Sequence, residues 1–158
     1  MRRTNMLGRA LVAASIVASC CVGAARDARA TLGGNLASVA DNQQRLGAAR
    51  QVHKLASGER HELTLPSGIV VHEYVSASGA VYAITWHGPR VPDMRELLGP
   101  YFAQIAHRDL YPHDGHHRMR VDGSDLVIRA SGHAHSFSGR AWVPSLVPSG
   151  VNIDTSLD

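Results

Sequence analysis

Two cysteines are all the chain contains, and both, Cys20 and Cys21, lie in its first thirty residues. From residue 31 onward there is no thiol. That excludes thiol catalysis, a disulfide framework and a cysteine-based zinc site from the body of the protein. Its stability must come from an ordinary core, which residues 31–158 are long enough to supply. Aromatic residues are scarce as well, at 5 %. Tyr74, Tyr82, Trp86, Tyr101 and Trp142 read as core or rim positions rather than a ligand cage. Catalytic signatures are missing too. There is no GxSxG elbow, no GxGxxG, no Walker A loop and no HExxH helix, and no Ser-His-Asp set can be picked out. No internal repeat and no interdomain linker interrupts the chain.

The positive charge is unevenly placed. The chain has 16 Lys+Arg and 13 Asp+Glu, but Arg2, Arg3, Arg9, Arg26 and Arg29 fall in residues 1–30 with Asp27 as the sole acid. The rest holds 11 basic and 12 acidic residues. Along the sequence this leaves no basic patch of the kind nucleic acid needs, and no nucleic-acid partner is expected.

Residues 1–30 have the anatomy of a cleaved export signal. Arginines come first, then the apolar run ALVAASIVASCCVGAA, then Ala28-Arg29-Ala30 as an A-x-A cleavage site. The apolar run is too short for a membrane span of about 20 residues, so none is expected after removal of the signal. The domain would begin at Thr31 and occupy 31–158, in the periplasm or outside the cell. A second reading stays open. Val17-Ala18-Ser19-Cys20 also resembles a lipoprotein signal, in which Cys20 would carry the lipid anchor.

Residues 31–37, TLGGNLA, read as a flexible leader. Within 38–50 a short helix is expected, with Ser38 as N-cap, Asp41 at N3 and Gly47 as its stop. The segment 59–88 shows three β-rich runs separated by Pro-Ser-Gly and Ser-Ala-Ser-Gly turns. One register satisfies both turns. It opposes His61 to Glu73, Glu73 to Tyr82 and Ile69 to Trp86. One face then carries His61, Leu63, Leu65, Ile69, Val71, Glu73, Val75, Tyr82, Ile84 and Trp86. The other carries His72, Tyr74, Val81 and His87. After this meander, Asp93 and Glu96 precede a helical stripe of Leu97, Tyr101 and Ile105, with a kink expected at Gly99-Pro100. Residues 107–118 read as a polar loop, 124–132 and 133–142 as two further strands, and the tail as extended. The expected fold is α+β: an antiparallel sheet, made of a three-stranded meander and a second hairpin, with one or two helices packed on one face.

Three groups of residues could carry chemistry. His113, His116 and His117 in the 107–118 loop, with His133 and His135 at i, i+2 spacing, could hold zinc or copper. The bland reading is a solvated loop and a strand edge. His61, Glu73 and Tyr82 form a polar row on an otherwise apolar face, either a pocket carboxylate or a structural hydrogen-bond row. His72, Tyr74 and His87 on the opposite face could contact a partner, an envelope protein for example.

The blocks LPSGIVVHEYVSASGAVYAITWHGP, PDMRELLGPYF and DLVIRASGHAHSFSGRAWVPSLVPSGV, after a signal ending just before LGG, resemble a family of small exported proteobacterial proteins known only as a domain of unknown function. The likeness spans most of 31–153. It implies no activity and carries no catalytic residue over to this chain. The function expected is therefore a non-enzymatic periplasmic or secreted binding module without a cofactor. The alternative is a histidine-based divalent-metal protein of the envelope.

Overall fold

Alternating runs between short turns fold into one continuous antiparallel sheet. A computed structural model describes residues 31–107 and 117–157. The strands are β1 (Ala49–Leu55), β2 (Gly58–Thr64), β3 (Val70–Ser76), β4 (Val81–Gly88), β5 (His117–Asp122), β6 (Val127–His133) and β7 (Ser136–Trp142). Their order is β1-β2-β3-β4-β7-β6-β5. The α+β class and the antiparallel sheet are as expected, but seven strands replace the five anticipated. The additional two, β1 and β5, are the edges. An edge strand meets water on one side and needs no apolar run. Arg50, His53 and Lys54 in β1, and Arg118 and Arg120 in β5, hide both strands from a hydrophobicity pattern.

The β2–β3 register is the expected one, with His61 opposite Glu73 and Leu63 opposite Val71. The β3–β4 register is not. Glu73 faces Ile84 and Val71 faces Trp86, with an irregularity at Tyr74/Val75. Two one-residue displacements add up. The turn closes with Ser76 N donating to Ala80 O, so it contains Ala77, Ser78 and left-handed Gly79. A β-bulge at Tyr82 then adds a second residue. Because the sum is two, Ile84 and Trp86 keep their predicted face. Between turn and bulge the displacement is one, and Val81 and Tyr82 exchange faces.

Helix α1 (Leu36–Leu46) starts three residues earlier than the Ser38 cap implied. Asn35 caps it, accepting from Ala37 N and Ser38 N, while the Ser38 hydroxyl accepts from Asn35 N. Ser38 is thus the reciprocal partner of a capping box, and Gly47 ends the helix in the left-handed conformation. Helix α2 (Met94–Leu98) is capped by Asp93 and yields at Gly99 to a 3₁₀ turn, Gly99–Gln104, as the Gly-Pro pair required. Glu96 reaches Arg45 of α1 at 3.2 Å.

Residues 31–35 are no loose leader. Leu32 is buried, Leu32 N donates to Leu97 O, Gly33 N to Val81 O, and Val81 N to Gly34 O. Gly33 has φ +77, and a side chain there would strike the Tyr101 ring. Gly33 therefore serves a close approach and a left-handed backbone, not flexibility.

The front of the sheet buries Leu63, Val71, Ile84, Trp86, Ile128 and Ala141 in one cluster with Leu32, Val39, Leu97 and Leu98. The back is covered as well, over its central strands. Tyr74, Tyr82 and Ala83 pack there with Leu146, Val147, Val151 and Leu157 of the tail. The tail contributes a 3₁₀ turn, Pro144–Leu146, and α3 (Ile153–Ser156). Consequently Tyr74, expected at a solvent face, is 1 % exposed; His72, beside Glu62 and Tyr74, is 8 % exposed, while His87 stays exposed.

Candidate functional site

The predicted polar row is half realised. His61 and Glu73 oppose one another on β2 and β3 and are both sealed beneath the front layer. The bulge carries Tyr82 to the back, against Tyr74 with ring centroids 6.2 Å apart. Glu73 Oε1 accepts from Asn42 Nδ2 of α1 at 3.1 Å. Its Oε2 has no well-placed donor among the described residues. Burial raises the Glu73 pKa to about 7, against the pull of Asn42, Thr31 and, at longer range, Arg50.

The neighbours of His61 set the tautomer of its neutral ring. Arg50 Nε and Nη2 lie 3.0 and 2.7 Å from His61 Nδ1. Arginine only donates, so Nδ1 accepts and the ring proton sits on Nε2, 3.2 Å from Glu59. Burial and the Arg50 charge hold the His61 pKa below its usual value, with Glu59 opposing. This is a sealed hydrogen-bonded cluster. A groove of about 340 Å³ beside it is lined by Glu59 and Lys54 but not by Glu73.

The histidines are placed as follows. His113, His116 and the side chain of His117 lie outside the described residues, as does Cys20. His133 ends β6, but His135 does not continue that strand. It sits in the two-residue turn Ala134-His135 with φ +63, so the i, i+2 geometry is absent. The backbone of His117 pairs with Gly132, which brings the end of the histidine loop to this hairpin. Among the described residues no three His, Cys, Asp or Glu side chains gather as a metal group.

The strand order builds a different site on the back of the sheet. Register places Arg120 opposite Arg129, Arg129 opposite Arg140, and Arg140 opposite Thr85. The next row out reads Arg118, Ser131, Ser138 and His87. The two rows floor an open groove of about 540 Å³, with Leu157 of the tail also in its lining. Three like charges directly abreast repel one another, and two acids moderate this. Asp122 pairs with both Arg120 and Arg129, and Asp154 with Arg140 at 2.7 Å. Both arginines hold Asp122 below the usual carboxylate range. The Trp142 ring lies 5.8 Å from the guanidinium carbons of both Arg129 and Arg140. Arg129 also donates to Val121 O and Ile128 O, each at 2.9 Å. These contacts fix the guanidinium planes. Arg118 has no ion-pair partner among the described residues.

Charge distribution along the chain does not reveal this site, because its arginines come from three separate strands. Arg118-Met-Arg120 alternates as an exposed strand face would, and that was the available signal. Only the strand order brings Arg129 and Arg140 beside it, so the expectation of no basic patch is corrected.

Fold and site together define an α+β protein whose sheet is sealed in front and presents an arginine-lined groove behind. The chain belongs to DUF2844, a family of proteins of unknown function, whose family model it matches over residues 28–155. No curated protein and no solved structure matches it. No helix among the described residues is long and apolar enough to cross a membrane.

Proposed function

We propose that the protein is a non-enzymatic binding module, exported to the periplasm or beyond, whose groove takes a ligand bearing phosphate or carboxylate groups. One observation carries this reading: three arginines abreast on adjacent strands, with a fourth in the next row, served among the described residues by two acids. Such a row costs folding stability, and a bound anion relieves that cost. Arginine suits the task because its fork pairs with both oxygens of a phosphate or carboxylate. Thr85, Ser131 and Ser138 add hydroxyl donors, and His87 adds an exposed imidazole at the end of the outer row.

Calorimetric titration with inorganic tripolyphosphate and, separately, with citrate tests the reading. Saturable binding that weakens with added salt and is lost in Arg118→Gln/Arg120→Gln supports it. Equal heats from the wild type and this variant would sink it. A second reading, divalent-metal binding at the histidines, draws on the pairing of His117 with Gly132 next to His133. Zinc or copper titration of the wild type against His133→Ala decides it. Affinity weaker than about 1 μM, or no change in the variant, overturns it.

A further inference from the structure

Glu73 is a buried acid with one well-placed donor among the described residues, and Thr31 near it is the residue that export would expose as a new chain end. Thr31 is fully buried. Its hydroxyl donates to Leu97 O at 3.0 Å, and Leu32 N donates to the same carbonyl at 3.1 Å. Residues 31 and 32 are thus clamped to the end of α2, and residues 33 and 34 to the start of β4. The Thr31 hydroxyl also lies close enough to the Glu73 carboxyl to favour its charged form. In any threonine the backbone nitrogen lies within about 4 Å of its own Oγ1. Whatever charge that nitrogen bears is therefore felt at Glu73.

We propose that hydrolysis of the Ala30–Thr31 bond completes the core by supplying Glu73 with its missing partner, the α-ammonium of Thr31. An endopeptidase of the export machinery adds water across the amide. Ala30 departs with the new carboxylate, and Thr31 keeps the nitrogen, which takes up a proton. A neutral amide becomes a cation with three donors next to the unsatisfied oxygen of Glu73. Among the described residues the polar groups facing the carboxylate, besides Thr31, are Asn42 from α1, His61 from β2 and Arg50 from β1. His61 is held neutral, and Arg50 is engaged with His61, so neither takes the role. The uncleaved chain then carries a flaw in its core, and processing repairs it. The fold tightens only after export.

The chain has a single lysine, Lys54, and it is exposed. In an exported Lys54→Arg protein the Thr31 amine is the sole amine, which makes the test direct. N-terminal sequencing is expected to begin at Thr31. The protein is then acetylated in denaturant, refolded and melted beside the free form. We expect acetylation to lower Tm by at least 5 °C, and to change it by less than about 2 °C in a Glu73→Gln background. An N-terminus elsewhere, a lipidated Cys20 included, overturns the proposal. So does an equal loss in both backgrounds, or no loss in either. Should Glu73→Gln fail to fold, the folded protein with Lys54 retained is treated with an acylating reagent. Thr31 is then expected to react at least tenfold more slowly than Lys54 at pH 9, and equal rates refute the pairing.

Discussion

On the front of the sheet one carboxyl, Glu73, is sealed beneath helices with a single well-placed donor. On the back, three arginines stand abreast with water at hand. The same sheet carries both, Glu73 on β3 and the arginines on β5, β6 and β7. In the front layer a charge without its partner is expensive, because no water remains to solvate it. Its neighbours must therefore be exact in number, and any change is felt as stability. At the back, solvent and counterions screen the like charges, so a surplus of cations is tolerated and remains available to a ligand. Burial thus converts charge into folding energy on one side and leaves it as binding capacity on the other.

The contrast can be broken first at its apolar base. Leu98 is fully buried in the front cluster. Leu98→Ala is expected to cost about 3–4 kcal/mol in urea unfolding, the sum of lost transfer energy and an unfilled cavity. A loss under 1 kcal/mol would mean that α2 is not an integral part of the front layer.

Glu73 gives the next largest effect, and its sign is informative. With an amide at residue 31, the folded pKa of about 7 lies above the usual 4.5. The folded state then holds the proton more tightly than the unfolded state. Stability from this group is complete below pH 4.5 and is lost as pH rises to 7, by roughly 3 kcal/mol. His61 acts in the opposite sense. Its pKa is depressed, so its contribution is present above pH 6.5 and fades on acidification. Urea titrations from pH 4.5 to 8 on the Nα-acetylated chain should show the Glu73 decline. Glu73→Gln should abolish it, and a free Thr31 amine should reduce it. A flat profile for the acetylated chain would show that Glu73 titrates normally.

How much of this was legible follows from the same contrast. The β2–β3 register was readable because apolar residues at alternate positions admit one pairing. Ile84 and Trp86 kept their face only because turn and bulge shifted the chain by one residue each. Tyr82 was lost to prediction at that bulge, since Tyr and Val are equally good strand residues and local sequence does not say which one bulges. Tyr74 looked exposed because nothing in the tail announces that Leu146, Val147 and Leu157 pack with it. Glu73 was found because a carboxylate in an apolar row is conspicuous. The arginine row was not, because it takes one arginine from each of β5, β6 and β7, and each looks like ordinary solvent exposure until the strand order is known.

A smaller effect is expected where the two halves of the sheet join. Gly139 of β7 lies under the Trp86 ring and beside Ala130, and a side chain there would run into both. Gly139→Ala should cost about 1–3 kcal/mol as Trp86 is pushed from its place. Trp86 fluorescence would report the displacement. Unchanged emission with unchanged stability would show that the ring packs elsewhere. The same methyl group on the back, at Ser138→Thr for instance, should be nearly silent in stability.

The smallest stability effect belongs to the groove, and there the contrast is sharpest. Arg120 and Asp122 are exposed, with 73 % and 52 % of their side chains in solvent. Exposed pairs of this kind contribute little, and removing one of three neighbouring cations also relieves repulsion. Arg118→Gln/Arg120→Gln should therefore change unfolding free energy by no more than about 0.5 kcal/mol. Tripolyphosphate binding should nonetheless weaken at least tenfold, and its salt dependence should flatten as two cations leave the site. Arg129→Gln is the useful control. It removes a guanidinium that also donates to two backbone carbonyls and lies near Trp142, so it should lower both stability and binding. If the double variant destabilised the fold as much as Arg129→Gln does, the arginines would be structural and the back of the sheet no freer than the front.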